Sequence, residues 1–295
     1  MNTIKNNYGD GPKDARIDFS VIIPSYNRGN LISRALNSVQ NQTYPAREII
    51  VVDDGSSDET ARILKQLFPE VRYYYQRHSG VSAARNHGIR KAKSRWIALL
   101  DSDDAWLPGK LQAQATAIYD NPTVKLIHTN EHWFRDGKQI QQKKRHQKFG
   151  GMIFERCLPL CVISPSSAVI RHDVFDNIGL FDESLKACED YEFWLRFCAR
   201  EPVVFVDQPL VQKFGGHDDQ LSRRTIGLDR YRVKSLQTLL ESGILNPQQR
   251  SLTTAMLLNK LGIYISGAMK RGRFQEAFEY ASLVTKSIKT SYNQD

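Results

Sequence analysis

Five short runs rich in apolar, β-branched and aromatic residues, at 19–23, 49–52, 71–75, 96–100 and 124–128, alternate with helical patterns at 31–39, 59–68, 83–93 and 107–119. Strands that are apolar along nearly their whole length must be covered on both faces. The first half of the chain is therefore expected to form a doubly wound α/β fold, a Rossmann-like, mostly parallel sheet with helices on both faces. In such sheets a ligand binds in the crevice beyond the carboxyl ends of the strands, so the residues that follow each run are the first candidates for function.

From about Gly227 the pattern changes to long helical stretches at 228–241, 247–270 and 274–288. Gly272 lies between the last two and can take the left-handed conformation that a tight helical hairpin needs. A single hairpin is no repeat array, and it reads as an appendage for packing or docking. The expected division is a polar tail over 1–17, a main domain over 18–222 and a helical extension over 223–295.

A hydrophobic fraction of 41% and a charged fraction of 25% belong to a packed globular chain. No window approaches the ~18 apolar residues of a membrane-spanning helix, and the polar start lacks the apolar stretch of a signal peptide. Cys157, Cys161, Cys188 and Cys198 are too irregularly spaced for a disulfide framework and form no C-x-x-C, which fits reduced thiols in a cytoplasmic protein. The net charge of +9 favours an anionic partner such as a nucleotide or a phospholipid surface. The basic run Lys143-Lys144-Arg145-His146 has no aromatic interleaving and reads as a solvated loop, so nucleic acid is not expected as a partner.

After the first run comes Pro24-Ser25-Tyr26-Asn27-Arg28, where a dinucleotide-binding dehydrogenase would carry G-x-G-x-x-G; its absence argues against that class. After the second comes Asp53-Asp54-Gly55-Ser56-Ser57-Asp58, a sharp turn with Asp58 placed to cap the next helix. Turn and cap chemistry explain its later residues, whereas Asp53 and Asp54 at the strand end can accept hydrogen bonds from a base or a ribose. After the fourth comes Leu100-Asp101-Ser102-Asp103-Asp104. Three acids so close are costly unless a cation neutralises them, and hard carboxylate oxygens suit Mg²⁺ or Mn²⁺ with positions left for a diphosphate.

Further on, Asp190, Phe193, Trp194 and Phe197 recur at i, i+3, i+4 and i+7 of a predicted helix, which sets this carboxylate on an apolar face. Partial desolvation there would raise its proton affinity and suit it to general-base work; helix capping is the simpler alternative. Glu192 and Arg196 form an i,i+4 pair expected to be solvated. His217 follows Gly215-Gly216 and precedes two acids, a setting that suits a structural histidine and a site loop equally.

Taken together, V-I-I-P-S-Y-N-R, V-V-D-D-G-S-S-D-E-T, G-V-S-A-A-R-N-H-G, D-S-D-D-A-W and E-D-Y-E-F-W-L-R, in this order, resemble the family 2 glycosyltransferases of the GT-A fold over about residues 18–222. The resemblance implies a donor-binding half over about 18–130 and an acceptor or catalytic half over about 131–222. It implies a nucleoside site at Pro24, Tyr26 and Asp54, with Asp54 facing the base, commonly uracil. Asp101 and Asp103 match the D-x-D motif, Asp103 being the direct metal ligand, Asp190 matches the catalytic base, and His217 falls where some members bring a histidine to the metal or diphosphate. Trp194, in the same motif as Asp190, is expected at the substrate site. The implied reaction is inverting transfer of a sugar, commonly from a UDP-sugar, to a hydroxyl of a glycan or lipid-linked acceptor, assisted by Mn²⁺ or Mg²⁺.

The chain departs from the family's polysaccharide synthases in lacking Q-x-x-R-W and transmembrane helices, so single-sugar transfer is expected rather than processive polymerisation. A sugar nucleotidyltransferase would show a glycine-rich signature where Pro24-Ser25-Tyr26 stands. The alternative from another class is a catalytically silent scaffold that binds through its helical tail. A role in surface polysaccharide or cell-envelope glycan assembly is the family-level expectation, with the positive charge allowing peripheral contact at the inner membrane face; the sequence carries no signal for oligomeric state.

Overall fold

A computed structural model of the chain describes residues 16–216 and 227–292, with the backbone alone over 285–292. The expected tail up to residue 15, and His217 with the nine residues after it, lie outside the described residues.

Strands β1 (Phe19–Ser25), β2 (Glu48–Asp53), β3 (Arg72–Tyr75) and β4 (Trp96–Leu99) are linked by helices α1 (Ile32–Gln40), α2 (Thr60–Leu67) and α3 (Val81–Lys91). They run parallel in the order β3-β2-β1-β4. Successive side chains of a strand point to opposite faces, and here they feed two separate cores. Ile22, Ile50, Val52, Ile97 and Leu99 enter one; Val21, Ile23, Val51, Ala98 and Leu100 enter the other. This two-sided burial is why the runs are apolar throughout rather than alternating. Helix α3 lies so close to β1 that a Cβ on Gly88 would stand 2.5 Å from Ile22 Cγ2.

Beyond β4 the sheet is mixed. A short edge strand β5 (Ala105–Trp106) and helix α4 (Lys110–Asp120) lead into β6 (Leu126–Arg135), which folds back as β7 (Lys138–Ile140) through Asp136 and Gly137, both at positive φ. An Asp-Gly pair of this kind matches a two-residue hairpin turn. The place beside β4 is taken by β8 (Ala168–Arg171), antiparallel to both β4 and β6, and β9 (Val204–Gly215) runs parallel to β6 with β5 on its far side. The parallel core of the sheet is thus continued by a mixed second half within the expected α/β fold. Ile170 and Val169 of β8 continue the two cores across the junction, so its insertion keeps both faces covered.

Short helices α5 (Phe154–Cys157) and α6 (Val174–Asn177) and the longer α7 (Glu189–Cys198) cover one face. The C-terminal helices α8 (Asp229–Glu241), α9 (Pro247–Lys270) and α10 (Phe274–Tyr292) follow. Val233, Leu236, Leu239, Leu257 and Leu261 share one apolar cluster with Phe193, Trp194 and Phe197 of α7, so α8 and α9 pack against the main core. Helix α9 starts at a capping box: Asn246 Oδ1 accepts from the Gln249 N–H at 2.8 Å, and Gln249 Oε1 accepts from the Asn246 N–H at 3.1 Å. Gly272 takes φ +71° between α9 and α10, as the hairpin requires.

Candidate active site

Strands β1 and β2 end side by side, with Ser25 opposite Asp53. Asp53 accepts hydrogen bonds from the Ser56 N–H (2.8 Å) and the Tyr73 hydroxyl (2.8 Å), and burial together with this contact pushes the Tyr73 phenol up. Asp54 is buried. It accepts from the Ser79 N–H (2.9 Å), the Gly80 N–H (2.8 Å) and Gln76 Nε2 (2.7 Å), and His78 Nδ1 lies 2.8 Å from its Oδ2. Its carboxylate therefore pins the loop between β3 and α3. Gly55 sits at φ +81°, and a Cβ there would meet the His78 backbone nitrogen at 2.9 Å, so the turn needs glycine. Tyr26 is 43% exposed and stacks on His78 with ring centroids 4.1 Å apart. Pro24 is buried within β1.

The loop after β4 carries the acids. The Asp101 N–H donates to Ser166 Oγ (3.1 Å), and Asp101 Oδ1 accepts from Arg85 Nη2 (2.7 Å). Arg85, buried on α3, also donates Nη1 to Glu189 Oε1 at 2.5 Å, so one guanidinium joins the D-x-D loop to the start of α7. Burial alone would lower Arg85, but Asp101 and Glu189 outweigh it and keep the group charged. Burial also raises Glu189, more than Arg85 restores. Asp104 accepts from the Ser166 hydroxyl (2.6 Å) and the Phe214 N–H (3.0 Å), so one oxygen ties the 165–167 turn to the loop and the other ties β9 to it. Burial and the charge of Asp103 push Asp104 well up. Asp103 is raised by burial and by Asp101, opposed by Arg28 and Lys213, and its carbonyl accepts from Arg34.

Cys188, at φ +61°, turns the chain into α7 and sets Glu189 and Asp190 in its first turn, where the helix dipole favours negative charge. Asp190 is half-buried and opens on a cavity of ≈ 470 Å³ that it shares with Glu131, Trp133, Cys161 and Lys213. Its Oδ1 accepts from the Tyr191 N–H (2.7 Å), and its Oδ2 accepts from Cys161 Sγ (3.3 Å). Burial and Asp190 together push the Cys161 thiol well up. Lys213 donates to Ser164 Oγ (3.1 Å); burial would lower it, but Glu131, Asp104, Asp101 and Asp190 outweigh burial and raise it. It is thus a fixed positive charge between the acid loop and Asp190. Glu131 accepts from Trp133 Nε1 (2.7 Å) and lies 3.5 Å from Lys148 Nζ. Burial works against its charge, yet Lys148 and Lys213 hold it below the usual carboxylate range.

The structure gathers Asp101, Asp103 and Asp190 around Arg85 and Lys213, and places Tyr26 and Asp54 at the ends of β1 and β2. Trp194 is elsewhere: it is 1% exposed, inside the core with Phe193 and Phe197, and absent from the cavity wall. The Glu192–Arg196 pair is corrected from solvated to largely buried, since Arg196 meets Glu192 through two bonds (2.6 and 2.8 Å) while tying the carbonyls of Ile178 and Leu180 to the helix. Among the described residues no group of three or more His, Cys, Asp or Glu is arranged to hold a metal ion by itself. The four cysteines are free thiols.

Sequence reasoning gives no role to Arg85, although it stands in G-V-S-A-A-R-N-H-G, nor to Lys213, Glu131 or Lys148. Glu131 stands three residues past the run at 124–128, so the rule that sites follow strand ends could have found it. It lies where the pairing of β6 with β9 shifts register, an irregularity of the kind that re-aims side chains beside active sites. For Lys148 no local signal exists.

Three comparisons bear on this site. The profile of glycosyl transferase family 2 matches residues 20–179. An uncharacterized glycosyltransferase of Rickettsia typhi is 33% identical over 221 residues, 72% of this chain and 68% of its own length. Another from Rickettsia conorii is 30% identical over 65% of this chain but 32% of its own, so the match spans about a third of that relative. The Escherichia coli UDP-Glc:alpha-D-GlcNAc-diphosphoundecaprenol beta-1,3-glucosyltransferase WfgD is 30% identical over 60% of this chain and 68% of its own. Staphylococcus aureus TarS 1–349, solved in complex with UDP-GlcNAc, superposes with a TM-score of 0.67 over 85% of this chain and 73% of that one; at 21% identity the likeness is one of fold, the GT-A fold.

Proposed function

Because this chain belongs to family 2 of the glycosyltransferases, we propose that it transfers one sugar residue, with inversion, from a nucleoside-diphosphate donor to an acceptor hydroxyl, the donor being a UDP-sugar and the acceptor a glycan or lipid-linked sugar. The observation that carries this reading is the Arg85 bridge. Through it the acids expected at the leaving group, Asp101 and Asp103, are held in one frame with Asp190, the acid expected at the acceptor. Asp190 takes the proton of the acceptor hydroxyl as its oxygen attacks the anomeric carbon, and the nucleoside diphosphate departs from the opposite face. The transition state resembles that of glycoside hydrolysis, with diphosphate in the leaving position.

Tyr26, exposed and backed by His78, offers a ring face to the base, while Asp54 shapes the loop around it. Asp101 and Asp103 present hard oxygen donors that fit Mn²⁺ or Mg²⁺, ions held by one or two carboxylates when phosphates and water complete the shell. Such an ion would neutralise the departing diphosphate. Lys213 adds a charge that needs no metal. Uncharacterized and named relatives alike are glycosyltransferases, and the named one acts on a UDP-sugar, which supports the donor class.

Two variants test the reading. Asp190→Asn is expected to abolish transfer while donor affinity stays within about twofold; donor affinity lost as severely as activity would remove Asp190 from the base role. Asp103→Ala is expected to weaken donor binding in Mn²⁺ and to change it little in EDTA, as followed by calorimetry. A folded protein that turns over no nucleotide sugar would favour the silent scaffold.

A further inference from the structure

One of the donors around Asp54 differs in kind from the rest. Gln76 Nε2 and the Ser79 N–H meet Oδ1, and the Gly80 N–H meets Oδ2; all three fix the loop between β3 and α3. His78 Nδ1 reaches Oδ2 at 2.8 Å and the Asp54 carbonyl at 3.1 Å. Both of these neighbours are acceptors, so Nδ1 carries the ring proton and donates. The same imidazole stacks on Tyr26, with centroids 4.1 Å apart and planes 23° from parallel. The face of Tyr26 that it covers is therefore the one beside Asp54.

These two contacts are the ones a nucleobase would use. A base binds by laying its flat π-face on an aromatic ring and by giving its N–H groups to a fixed acceptor. His78 brings a flat ring and an N–H to that ring and that acceptor. A carboxylate offers about four lone-pair sites, and the two donors on each oxygen of Asp54 fill them. With the Asp54 side chain only 4% exposed, a base reaches it only where one of those donors leaves. The two backbone N–H groups belong to the loop itself, and Gln76 is held in turn by His87 at 3.0 Å. His78 is the donor that can go. Its backbone is wedged against Gly55, where a Cβ would come within 2.9 Å of the His78 nitrogen, but its side chain is 55% exposed and opens to solvent.

Resting on the glycosyltransferase reading above, which sets the donor base at Tyr26, we infer that His78 holds the place of that base and that the base enters by displacing it. The loop stays in position. The imidazole swings out about its own side-chain torsions, which frees one lone pair of Asp54 and uncovers the Tyr26 face beside it. Nucleotide affinity is then set by a competition inside the protein, because the observed dissociation constant is the intrinsic one divided by the fraction of molecules whose His78 is already out. His78 thereby determines specificity: a ligand is held only where its base replaces both the stack and the hydrogen bond that it removes.

Calorimetry on the full chain in Mn²⁺ tests this with UDP and with inorganic pyrophosphate, which has no base. His78→Ala, at an exposed position, is expected to bind UDP about fivefold more tightly than the wild type, as when about four molecules in five keep the ring in. Its affinity for pyrophosphate is expected to stay unchanged. In the wild type, the His78 ring-proton resonances, assigned by their loss in His78→Ala, carry the ring-current shift of Tyr26 and are expected to lose it when UDP binds. UDP affinity in His78→Ala equal to or below that of the wild type would overturn the inference, and so would a His78 resonance that keeps its shift with UDP bound. A gain for pyrophosphate as large as that for UDP would also overturn it, since the effect would then lie outside base recognition. Failure of the wild type and His78→Ala alike to bind UDP would instead strike the glycosyltransferase reading.

Discussion

Arg85→Met removes the cation that bridges Asp101 and Glu189, at 2.7 and 2.5 Å, and leaves Glu189 buried beside a thioether. Breaking a buried ion pair by deleting one partner costs roughly 3–5 kcal/mol, because the remaining charge keeps its desolvation penalty and loses its compensation. That is a large share of the ~5–15 kcal/mol that holds a typical domain together. Urea unfolding followed by circular dichroism measures it, with the slope of the transition checking that both proteins unfold alike. Arg85→Met/Glu189→Gln, which deletes both charges, is expected to recover at least half of the loss.

The pH dependence has a definite sign. Glu189 already binds its proton more tightly in the folded state than in the unfolded chain, and removing Arg85 widens that gap. A carboxyl raised in the folded state is destabilising above its unfolded value of about 4.3 and loses that effect when protonated, so the penalty of Arg85→Met shrinks on acidification toward pH 4.5. A single-variant cost under about 1 kcal/mol, strict additivity of the two substitutions, or a penalty that grows on acidification would each refute the reasoning.

His128 is fully buried, with Nε2 2.9 Å from the Phe149 carbonyl and no partner for Nδ1, and burial followed by Lys148 lowers it to about 3. A base lowered in the folded state gives stability that is present above its unfolded value near 6.5 and lost as pH falls toward 3; at pH 5 the loss is roughly 2 kcal/mol, and His128→Gln should flatten the stability curve between pH 5 and 7. Gly88→Ala should cost about 1–3 kcal/mol, since its Cβ would intrude on Ile22 and force α3 away from β1; an unchanged urea midpoint would show that the helix yields freely. Asn246→Ala removes the side-chain half of the capping box on α9, the acceptor for the Gln249 N–H, and should cost about 1 kcal/mol in thermal or urea unfolding, whereas Asn246→Asp should be nearly neutral.

Local chemistry made much of this protein legible. Apolar runs identified β1, β2 and β4 because burial on both faces leaves few polar positions in a strand, β3 at the sheet edge was marked by its tyrosines, and Gly272 marked the turn between α9 and α10 because only a left-handed residue closes it. The acids at the ends of β2 and β4 stood out because strand ends in an open sheet are where ligands are met. What the tertiary structure decided were pairings between residues far apart in the chain, which leave no periodicity to read. The four-residue β8 enters antiparallel between β4 and β6, too short to announce itself. Arg85 meets Glu189 across 104 positions, and Phe214 meets Asp104 across 110. Asp104 reads in sequence like its neighbours, yet its oxygens are spent on Ser166 and Phe214. Trp194 looks like Asp190's companion at a site, one turn further along the same helix face, yet that face leaves the cavity within a turn and Trp194 packs in the core with Phe193 and Phe197. Lys143-Lys144-Arg145-His146 has the composition of a solvated loop, and only the packing of His146 on Trp133 brings it to the cavity. Composition and spacing fix which groups a chain can offer; which of them face one another depends on distances that only the folded chain sets.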